Sequence, residues 1–429
     1  MSGTLRYRPP NLGHWAAWCG YVAFLLAAPL VFRSNLSLTL LSQIGTFAIA
    51  TLSYNMLLGQ SGMLSFGHAV YIGLGGFIAI HTMNLVDAHR VIWIPTALIP
   101  LVGGLAGAFF GVLFGYVTTR RSGTTFAMIT LGIGELVASA AFTFPGFFGG
   151  EAGVTTDRTM GPKLLGISYG PQIQVYYLIV AWLVLATAGM YAFTRTPLGR
   201  IANAVRDNPE RVEFVGYNTQ RVRFLVVIIA GFFAGISGGL GAINFEIVSA
   251  ENIGAGSSGL VLLFTFLGGA GTFVGPIIGA VLYAFSYLML SGITNASLLY
   301  LGLLFLVMVM FAPGGIASLV QMNLRLAYYG QLRGLARPYL AVLLGAVPLF
   351  LGVTTFIELL YAHQLNAGNG SLVHVWGLTL DDSVAPSWVG AAVLCLAGGV
   401  AFAFAARYFG RRWSAAQTAI AERLARGTA

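Results

Sequence analysis

The sequence predicts an all-α polytopic membrane protein, and three observations lead to that prediction. Hydrophobic residues make up 57% of the 429 residues and charged residues only 8%, against roughly 25% charged in a soluble domain. The chain contains many apolar runs of about 20 residues, the length that crosses a bilayer as a helix. The 57 glycines suit helices that approach each other closely in lipid.

The apolar runs predict about 12 transmembrane helices, ten in a core and two near the C-terminal end, with both termini in the cytoplasm. The predicted spans are residues 15–32, 37–58, 62–83, 91–117, 124–145, 173–194, 223–244, 257–271, 274–291, 297–312, 338–362 and 387–409. The first run lacks a small-residue cleavage site, so we interpret it as an uncleaved span. The predicted parts are residues 1–36, a core over 37–318 and a C-terminal extension over 319–429.

The charge distribution indicates orientation in a membrane. Lysine and arginine total 22, of which only Lys163 is a lysine, and the net charge is +9. The predicted topology places Arg33, Arg90, Arg158 and Lys163 outside, which leaves 18 of the 22 cations inside. The positive-inside rule accounts for this asymmetry. The partner that the charge predicts is therefore the lipid bilayer and not a nucleic acid.

One long charged stretch, residues 195–223, separates apolar segments in the predicted cytoplasm. Thr196-Pro197 is a typical N-cap followed by proline at the first helical position, and Asn208-Pro209 repeats it. Gly216 supplies a left-handed helix stop. We expect two short capped helices, residues 197–206 and 209–215, that form a docking element; the alternative is an ordinary solvated loop.

Both short helices are predicted to be amphipathic. The first places Ile201, Ala204 and Val205 on one face, at positions i, i+3 and i+4. The second does the same with Val212 and Val215. These faces are expected to pack against the membrane spans, which leaves the charged faces available to a partner.

A glycine-rich stretch from Asn55 to Gly76 joins two predicted spans with almost no loop, and a parallel cluster occurs from Gly268 to Gly279. Such glycine density breaks helices, and broken helices at membrane depth expose backbone groups that can line a cavity. The alternative is close packing of small residues.

Among the few ionisable groups inside the predicted spans, we single out His68, Glu135 and Glu358. Buried ionisable groups in lipid are functional candidates. No cation is placed to pair with Glu135, so we expect a neutral, hydrogen-bonded carboxylic acid. For His68 the interpretations are a hydrogen-bonding packing group or a proton relay.

The sequence argues against an enzyme, so no catalytic residue is assigned. A P-loop needs Gly-x-x-x-x-Gly-Lys-Ser/Thr, whereas Lys163 is followed by Leu164. Neither a HExxH motif nor a Ser-His-Asp set is present among the spans. Cys19 and Cys395 lie in apolar spans, so they imply neither a disulfide nor a metal site.

Several segments together resemble a known family. LLGQSGMLSFGHAVYIGLGG, TTFAMITLGIGELV, residues 198–243, FLGGAGTFVGPIIGAVL and MFAPGGI are similar, in this order, to the LivM-type permease subunits of branched-chain amino acid ABC importers. The resemblance covers residues 37–318. That family carries Glu-Ala-Ala-x-x-x-Gly in a cytoplasmic loop. Glu210 and Gly216 keep this spacing, whereas Arg211 and Val212 replace the two small residues.

The resemblance implies an importer subunit in the bacterial inner membrane that carries hydrophobic amino acids, with no cofactor of its own and ATP bound by partners. Relatives also serve urea, short amides or aromatic carboxylates; a stand-alone carrier or channel is a further alternative. The implied partners are a LivH-type permease, two LivG/LivF-like ATPase subunits and a periplasmic solute-binding protein.

We assign two sets of site residues on this basis. The predicted ATPase-coupling residues are Arg200, Arg206, Glu210, Arg211 and Gly216. The predicted translocation path or gate comprises Ser65, Gly67, His68, Glu135 and Gly271. No metal site is predicted.

The last hundred residues depart from the family pattern. The basic tail contains Arg411, Arg412, Arg423 and Arg426. It is expected to form a surface helix against anionic lipid.

Overall fold

The structure is a computed structural model that describes residues 12–87, 94–162, 166–292, 294, 296–330, 332–365, 372–376, 378–381 and 384–425. The sequence-based assignments to Arg90, Lys163 and Arg426 lie outside the described residues.

The described residues form a helical protein. In chain order the α-helices are α1 (Leu12–Val31), α2 (Asn35–Asn55), α3 (Ala69–Asp87), α4 (Ile99–Thr118), α5 (Thr124–Thr143), α6 (Pro145–Phe148), α7 (Gln172–Arg195), α8 (Pro197–Asp207), α9 (Pro209–Phe214), α10 (Thr219–Phe245), α11 (Ala255–Gly268), α12 (Gly275–Tyr283), α13 (Ser297–Phe311), α14 (Gly315–Tyr328), α15 (Leu332–Leu365) and α16 (Ala385–Ala425). Short π-helical turns continue α2 over Met56–Gln60 and α12 over Ala284–Met289, and 3₁₀ turns cover Thr96–Leu98 and Ala250–Asn252.

Two small antiparallel strand pairs lie among the helices. Strand β1 (Val154–Thr155) pairs with β2 (Ile247–Val248), with Val154 opposite Val248. Strand β3 (Leu372–Val375) pairs with β4 (Leu378–Asp381). The helical class of the fold is as predicted, and the strand pairs are short additions to it.

The lengths of the helices confirm a polytopic membrane protein. Within the described residues, eight helices are long and apolar enough to cross a membrane, and a ninth span results if α13 and α14, which meet at a 46° bend, count as one. Three shorter apolar helices correspond to α1, α11 and α12. Each predicted span therefore coincides with an apolar helix, although not every helix has the length of a span.

Two predicted boundaries are wrong. The third span was expected from residue 62, but α3 begins at Ala69 and residues 62–68 are not helical. The last span was expected to end at residue 409, before a separate surface helix. Instead α16 continues unbroken for 41 residues to Ala425. It passes through Gly410, the glycine between the apolar run and the basic tail, and no proline follows to end the helix there.

The first of two compact units comprises Met1–Leu288 and Val307–Ala317. At its centre α10 packs against α4, α3 and α2. Gly231 and Gly235 of α10 lie so close to the carbonyls of Gly107 and Gly103 of α4, respectively, that a Cβ atom would overlap them. Small residues thus allow the close helix approach that replaces hydrophobic driving force in lipid.

The second unit comprises Met289–Leu306 and Ser318–Ala429. Helices α15 and α16 pack as an antiparallel pair, with Gly345 against Phe402 and Gly352 against Cys395. Glu358 on α15 accepts hydrogen bonds from the hydroxyls of Thr294 (2.6 Å) and Tyr300 (2.9 Å). These bonds satisfy a carboxylate that hydrocarbon would otherwise penalise.

Candidate coupling and gate site

The glycine-rich stretch forms a return segment, residues 61–68, that leaves the π-helical turn and runs back along the end of α2. Gly62 starts the reversal with φ of +69°, a conformation that glycine adopts without steric cost. The Tyr54 hydroxyl then donates to the carbonyl of Ser65 (2.9 Å) and accepts from its N–H (3.2 Å). The predicted break is therefore real, and the predicted residue Ser65 is fastened to α2.

His68 ends the return segment and is fully buried. Its Nε2 lies 2.9 Å from the Ser53 hydroxyl, whose proton is already donated to the carbonyl of Ala50 (2.7 Å). His68 must therefore donate from Nε2, which leaves Nδ1 without a partner among the described atoms. The rings of Tyr54 and Tyr71 meet the imidazole edge to face. This setting is that of a packed hydrogen-bonding group.

Two further helices hold the return segment. The Phe66 N–H donates to Thr130 Oγ1 of α5 (3.1 Å), and the Ala69 N–H donates to Ser258 Oγ of α11 (3.0 Å). Gly67 lies against the carbonyl of Thr130, where a Cβ atom would overlap the backbone. Side chains from neighbouring helices thus supply the hydrogen bonds that irregular backbone needs at membrane depth.

The second glycine cluster, around residues 269–274, lies beside the π-helical turn. Asn55 Nδ2 donates to the carbonyl of Thr272 (3.3 Å), and Gly59 packs against the carbonyl of Ala270. Gly271 is exposed, and a Cβ atom there would meet open space. The two clusters are therefore neighbours, but the predicted residue Gly271 is not itself in the contact.

The charged stretch forms the two capped helices that the sequence predicts. Thr196 Oγ1 accepts from the Gly199 N–H (3.2 Å) at the start of α8, and Asn208 Oδ1 accepts from the Arg211 N–H (2.9 Å) at the start of α9. Helix α9 ends at Phe214, and Gly216 follows two residues later with φ of +93°.

A Schellman arrangement closes α9. The Gly216 N–H donates to the carbonyl of Glu213 (2.9 Å), and the Tyr217 N–H donates to the carbonyl of Val212 (3.2 Å). The position and direction of α9 are consequently fixed by local hydrogen bonds at both ends.

The predicted buried faces of these helices are partly wrong. On α8, Ala202 and Val205 are buried while Ala204 is exposed, and on α9 Val212 is buried while Val215 is exposed. The segment Ile201 to Val205 is apolar or small at four of five positions, so spacing alone did not distinguish two adjacent faces.

Helix α8 contacts the π-helical turn and the start of the return segment, and this is the main feature of the site. Arg206 donates from Nη1 to the carbonyl of Gly59, and Asn203 Nδ2 donates to Gln60 Oε1 (2.8 Å). The stem of Arg206 fills the space above Gly62, where a Cβ atom would lie 2.7 Å from its Cγ. The structure thus joins two features that the sequence presents as separate.

Asn203 and Gln60 were missed by sequence analysis. They are 143 positions apart, and both are uncharged. A local pattern carries no information about such a pair.

The remaining predicted residues lie on the surface. Arg200, Glu210 and Arg211 are exposed on α8 and α9. Glu135 is exposed near the middle of α5 and makes no hydrogen bond with the described part of the chain, so the expected hydrogen-bonded acid is not formed within this subunit.

Arg158, counted in the sequence only as an outer cation, anchors the loop between α6 and α7. It donates to the carbonyls of Tyr169 (2.8 Å) and Gly170 (3.0 Å) and lies 3.8 Å from the Glu246 carboxylate. It also donates to the carbonyls of residues 243 and 244 at the end of α10, where a cation favours the helix dipole.

The neighbouring carboxylate, Asp157, is exposed. Hydrogen bonds from the hydroxyl and the N–H of Thr159 lower the pKa of the Asp157 carboxyl.

A polytopic helical protein with a broken span tied to a pair of capped, partner-accessible helices has the architecture of a membrane transport subunit. The family of branched-chain amino acid transport system permease components matches residues 36–313. The chain belongs to this family, and it is a multi-pass protein of the inner membrane.

Three relatives illustrate the similarity. The LivM permease of the high-affinity branched-chain amino acid system of Escherichia coli K12 is 28% identical over 320 residues, which cover 69% of this chain and 73% of LivM. The guanosine permease NupQ of Bacillus subtilis is 23% identical, over 62% of this chain and 81% of NupQ. The LivH permease of Salmonella typhimurium is 22% identical, over 55% of this chain and 79% of LivH. No solved structure matches the chain.

Proposed function

We propose that this chain is the LivM-type permease subunit of an ABC importer. It passes branched-chain or other hydrophobic amino acids from an external binding protein to the cytoplasm, and separate subunits bind and hydrolyse ATP. The observation that carries the proposal is the contact of α8 with the π-helical turn that leads into the return segment, through Arg206 with Gly59 and Asn203 with Gln60. This contact is a physical connection from a cytoplasmic element to a break in the membrane part.

The exposed end of α9 supports an ATPase partner at this element. Phe214 is 90% exposed and Val215 is 71% exposed, and Tyr217 continues the same patch. A contiguous exposed apolar patch rimmed by charges, here Glu210 and Arg211, is typical of a protein contact. We propose that this patch binds the motor subunit and that α8 transmits its movement to the return segment.

The exposed carboxylate of Glu135 supports a second permease subunit. A charged side chain facing lipid near the centre of a span costs about 2.5–3.5 kcal/mol on insertion scales. Burial of Glu135 against a donor on a second, LivH-type permease removes that cost. We propose that the exposed face of α5 lies at this subunit interface, along the translocation path.

The orientation in this proposal has 12 spans with both termini inside, so that residues 195–223 face the cytoplasm. Single cysteines at Asn208 and Gly410 should then resist an impermeant thiol reagent added to intact cells, in a background without Cys19 and Cys395. Labelling of the Asn208 variant from outside would show that the orientation is the opposite one. A cytoplasmic ATPase subunit could then not bind α9.

The function is tested by replacing Arg206 with methionine, which keeps an apolar stem over Gly62 but removes the donor to Gly59. Reconstituted with its partner subunits and binding protein, the Arg206→Met complex should keep its ATPase subunits. It should lose uptake relative to hydrolysis by at least about tenfold, as expected for a charged hydrogen bond worth about 1.5–3 kcal/mol. Arg221→Met, at an exposed arginine of the same cytoplasmic stretch, is the matched control.

Uptake is measured for leucine, valine and alanine, and for guanosine because NupQ is named for it. Equal coupling in Arg206→Met and wild type would show that the motor acts through another surface. Uptake that needs no ATPase subunits would replace the importer with a stand-alone carrier.

A further inference from the structure

A cavity of about 190 Å³ lies within the first unit, surrounded by α2, α3, α10, α11 and the end of α12. A water molecule occupies about 30 Å³ in the liquid, so the cavity has room for a small metabolite and is well below the size of a drug-sized site. None of the residues predicted to form the path or gate lines it, although Ala69, next to His68, does.

One wall of the cavity is apolar. The rings of Phe47 and Tyr283 stack with their centroids 3.9 Å apart, and Ile72, Leu260 and Val261 continue this surface. Such a wall suits an aliphatic group, because burial of apolar surface contributes about 25 cal/mol per Å².

The other wall carries neutral hydrogen-bonding groups on fixed positions. Gln43 Nε2 lies 3.4 Å from the Tyr283 hydroxyl, and the Ser237 hydroxyl donates to the carbonyl of Thr46 (2.8 Å). Asn252 lies at the rim, with its Oδ1 held by the N–H of Ser249 (2.9 Å). All of the lining residues are described, and none of them is an acid, a lysine, an arginine or a histidine.

The cavity ends directly above the return segment. Ala50 and Ala69 form its inner end, and Ala50 is one helical turn from Ser53, the partner of His68. In the orientation proposed above, the rim at Asn252 faces outward. The return segment would then separate the cavity from the cytoplasmic side, where Arg206 and Asn203 hold the π-helical turn that precedes it.

We propose that this cavity is a binding site, inside this one subunit, for a small solute that has an aliphatic part and no net charge. The inference rests on the proposed transport function and adds a location and a selection rule to it. The aliphatic part lies against Phe47 and Tyr283, and the polar part lies near Asn252. A solute with a net charge is rejected because no opposite charge in the lining offsets the cost of its desolvation.

Gly241 offers a way to test the proposal with little disturbance of the fold. It lines the cavity from α10, and a Cβ atom added there meets nothing within 4 Å. A methyl group at this position therefore displaces no neighbour, and a larger side chain fills more of the cavity. Gly20 on α1 is the matched control, because it is also helical, has the same free space and lies outside the cavity.

The experiment compares Gly241→Ala, Gly241→Leu and Gly20→Leu in the complete reconstituted complex, with alanine, valine, leucine and lysine as labelled solutes. Gly241→Ala should reduce leucine uptake more than alanine uptake, by about tenfold or more in ratio, as one extra methyl group in an apolar pocket does. Gly241→Leu should abolish uptake of all solutes, and Gly20→Leu should leave uptake unchanged. The wild type should not transport lysine.

The size dependence separates this inference from a general defect, since a merely weakened fold lowers uptake of every solute in the same ratio. If both Gly241 variants keep the wild-type ratio of leucine to alanine uptake, the site is not in this cavity, while the transport function stands. If the wild-type complex shows no ATP-dependent uptake of any amino acid, the proposed function itself fails, whatever the variants do.

Discussion

Helices α8 and α9 have adjacent sequences and similar caps, yet the structure uses them differently. Helix α8 buries Ala202 and Val205 and extends Asn203 and Arg206 to the π-helical turn. Helix α9 buries Val212 and leaves Phe214 at the surface. The difference matches the roles proposed above, in which α8 moves with the membrane part and α9 presents a surface to the ATPase subunit.

The largest effect is expected when a negative charge is introduced on the exposed surface of α9, compared with the same charge on α8. Phe214→Asp places a carboxylate in the exposed patch of α9 and should release the ATPase subunits, because a buried aromatic anchor in an interface is typically worth 2 kcal/mol or more, at least ~30-fold in affinity. Copurification of the ATPase subunits with the tagged permease measures the loss. Ala204→Asp, at an exposed position of α8, introduces the same charge and should retain them; release by both variants would show that the partner also contacts α8.

The next largest effect concerns the direction in which α9 points. Gly216→Val forces a β-branched residue into a positive φ, at a cost of about 1–2 kcal/mol, and should weaken ATPase binding while membrane insertion continues. Gly216→Asn is the control, since asparagine tolerates the left-handed conformation. The measurement is the amount of ATPase subunit bound per permease, and equal binding by the valine and asparagine variants would mean that the helix stop does not position the partner.

A smaller effect is expected where Asn203 of α8 contacts the π-helical turn. Asn203→Leu removes the donor to Gln60 and should reduce uptake relative to ATP hydrolysis by about two- to twelvefold, the equivalent of one neutral hydrogen bond at 0.5–1.5 kcal/mol. ATPase binding should remain at the wild-type level. If the variant instead loses its ATPase subunits, α8 belongs to the partner surface and the distinction between the two helices fails.

The smallest effect is expected where the return segment ends. His68→Gln keeps an N–H donor for Ser53 in a packed setting, so uptake should fall by no more than about twofold, near 0.5 kcal/mol. Uptake in the assembled complex measures it at several external pH values. A complete loss of uptake by a fully assembled complex would contradict the packing role of His68 and would favour the proton relay.

The caps of α8 and α9 were readable from sequence because each depends on residues within four positions, such as Asn208 with Arg211. The contact of Asn203 with Gln60 could not be predicted from sequence, because it depends on how segments far apart in the chain pack together. The start of α3 was wrong for a related reason: an apolar stretch such as residues 62–68 has the same hydropathy whether it is helical or extended. Helix periodicity also did not predict whether the Glu135 side chain is buried or exposed, since α5 is apolar on most of its surface.

The return segment offers three built-in probes of motion by hydrogen exchange. The amide protons of Ser65, Phe66 and Ala69 are bonded to side chains of Tyr54, Thr130 and Ser258, which belong to α2, α5 and α11. Exchange requires each bond to open, so exchange rates resolved at these three single amides report separately on the departure of three helices. Comparing these three rates with and without ATP would give the order in which the helices leave the segment.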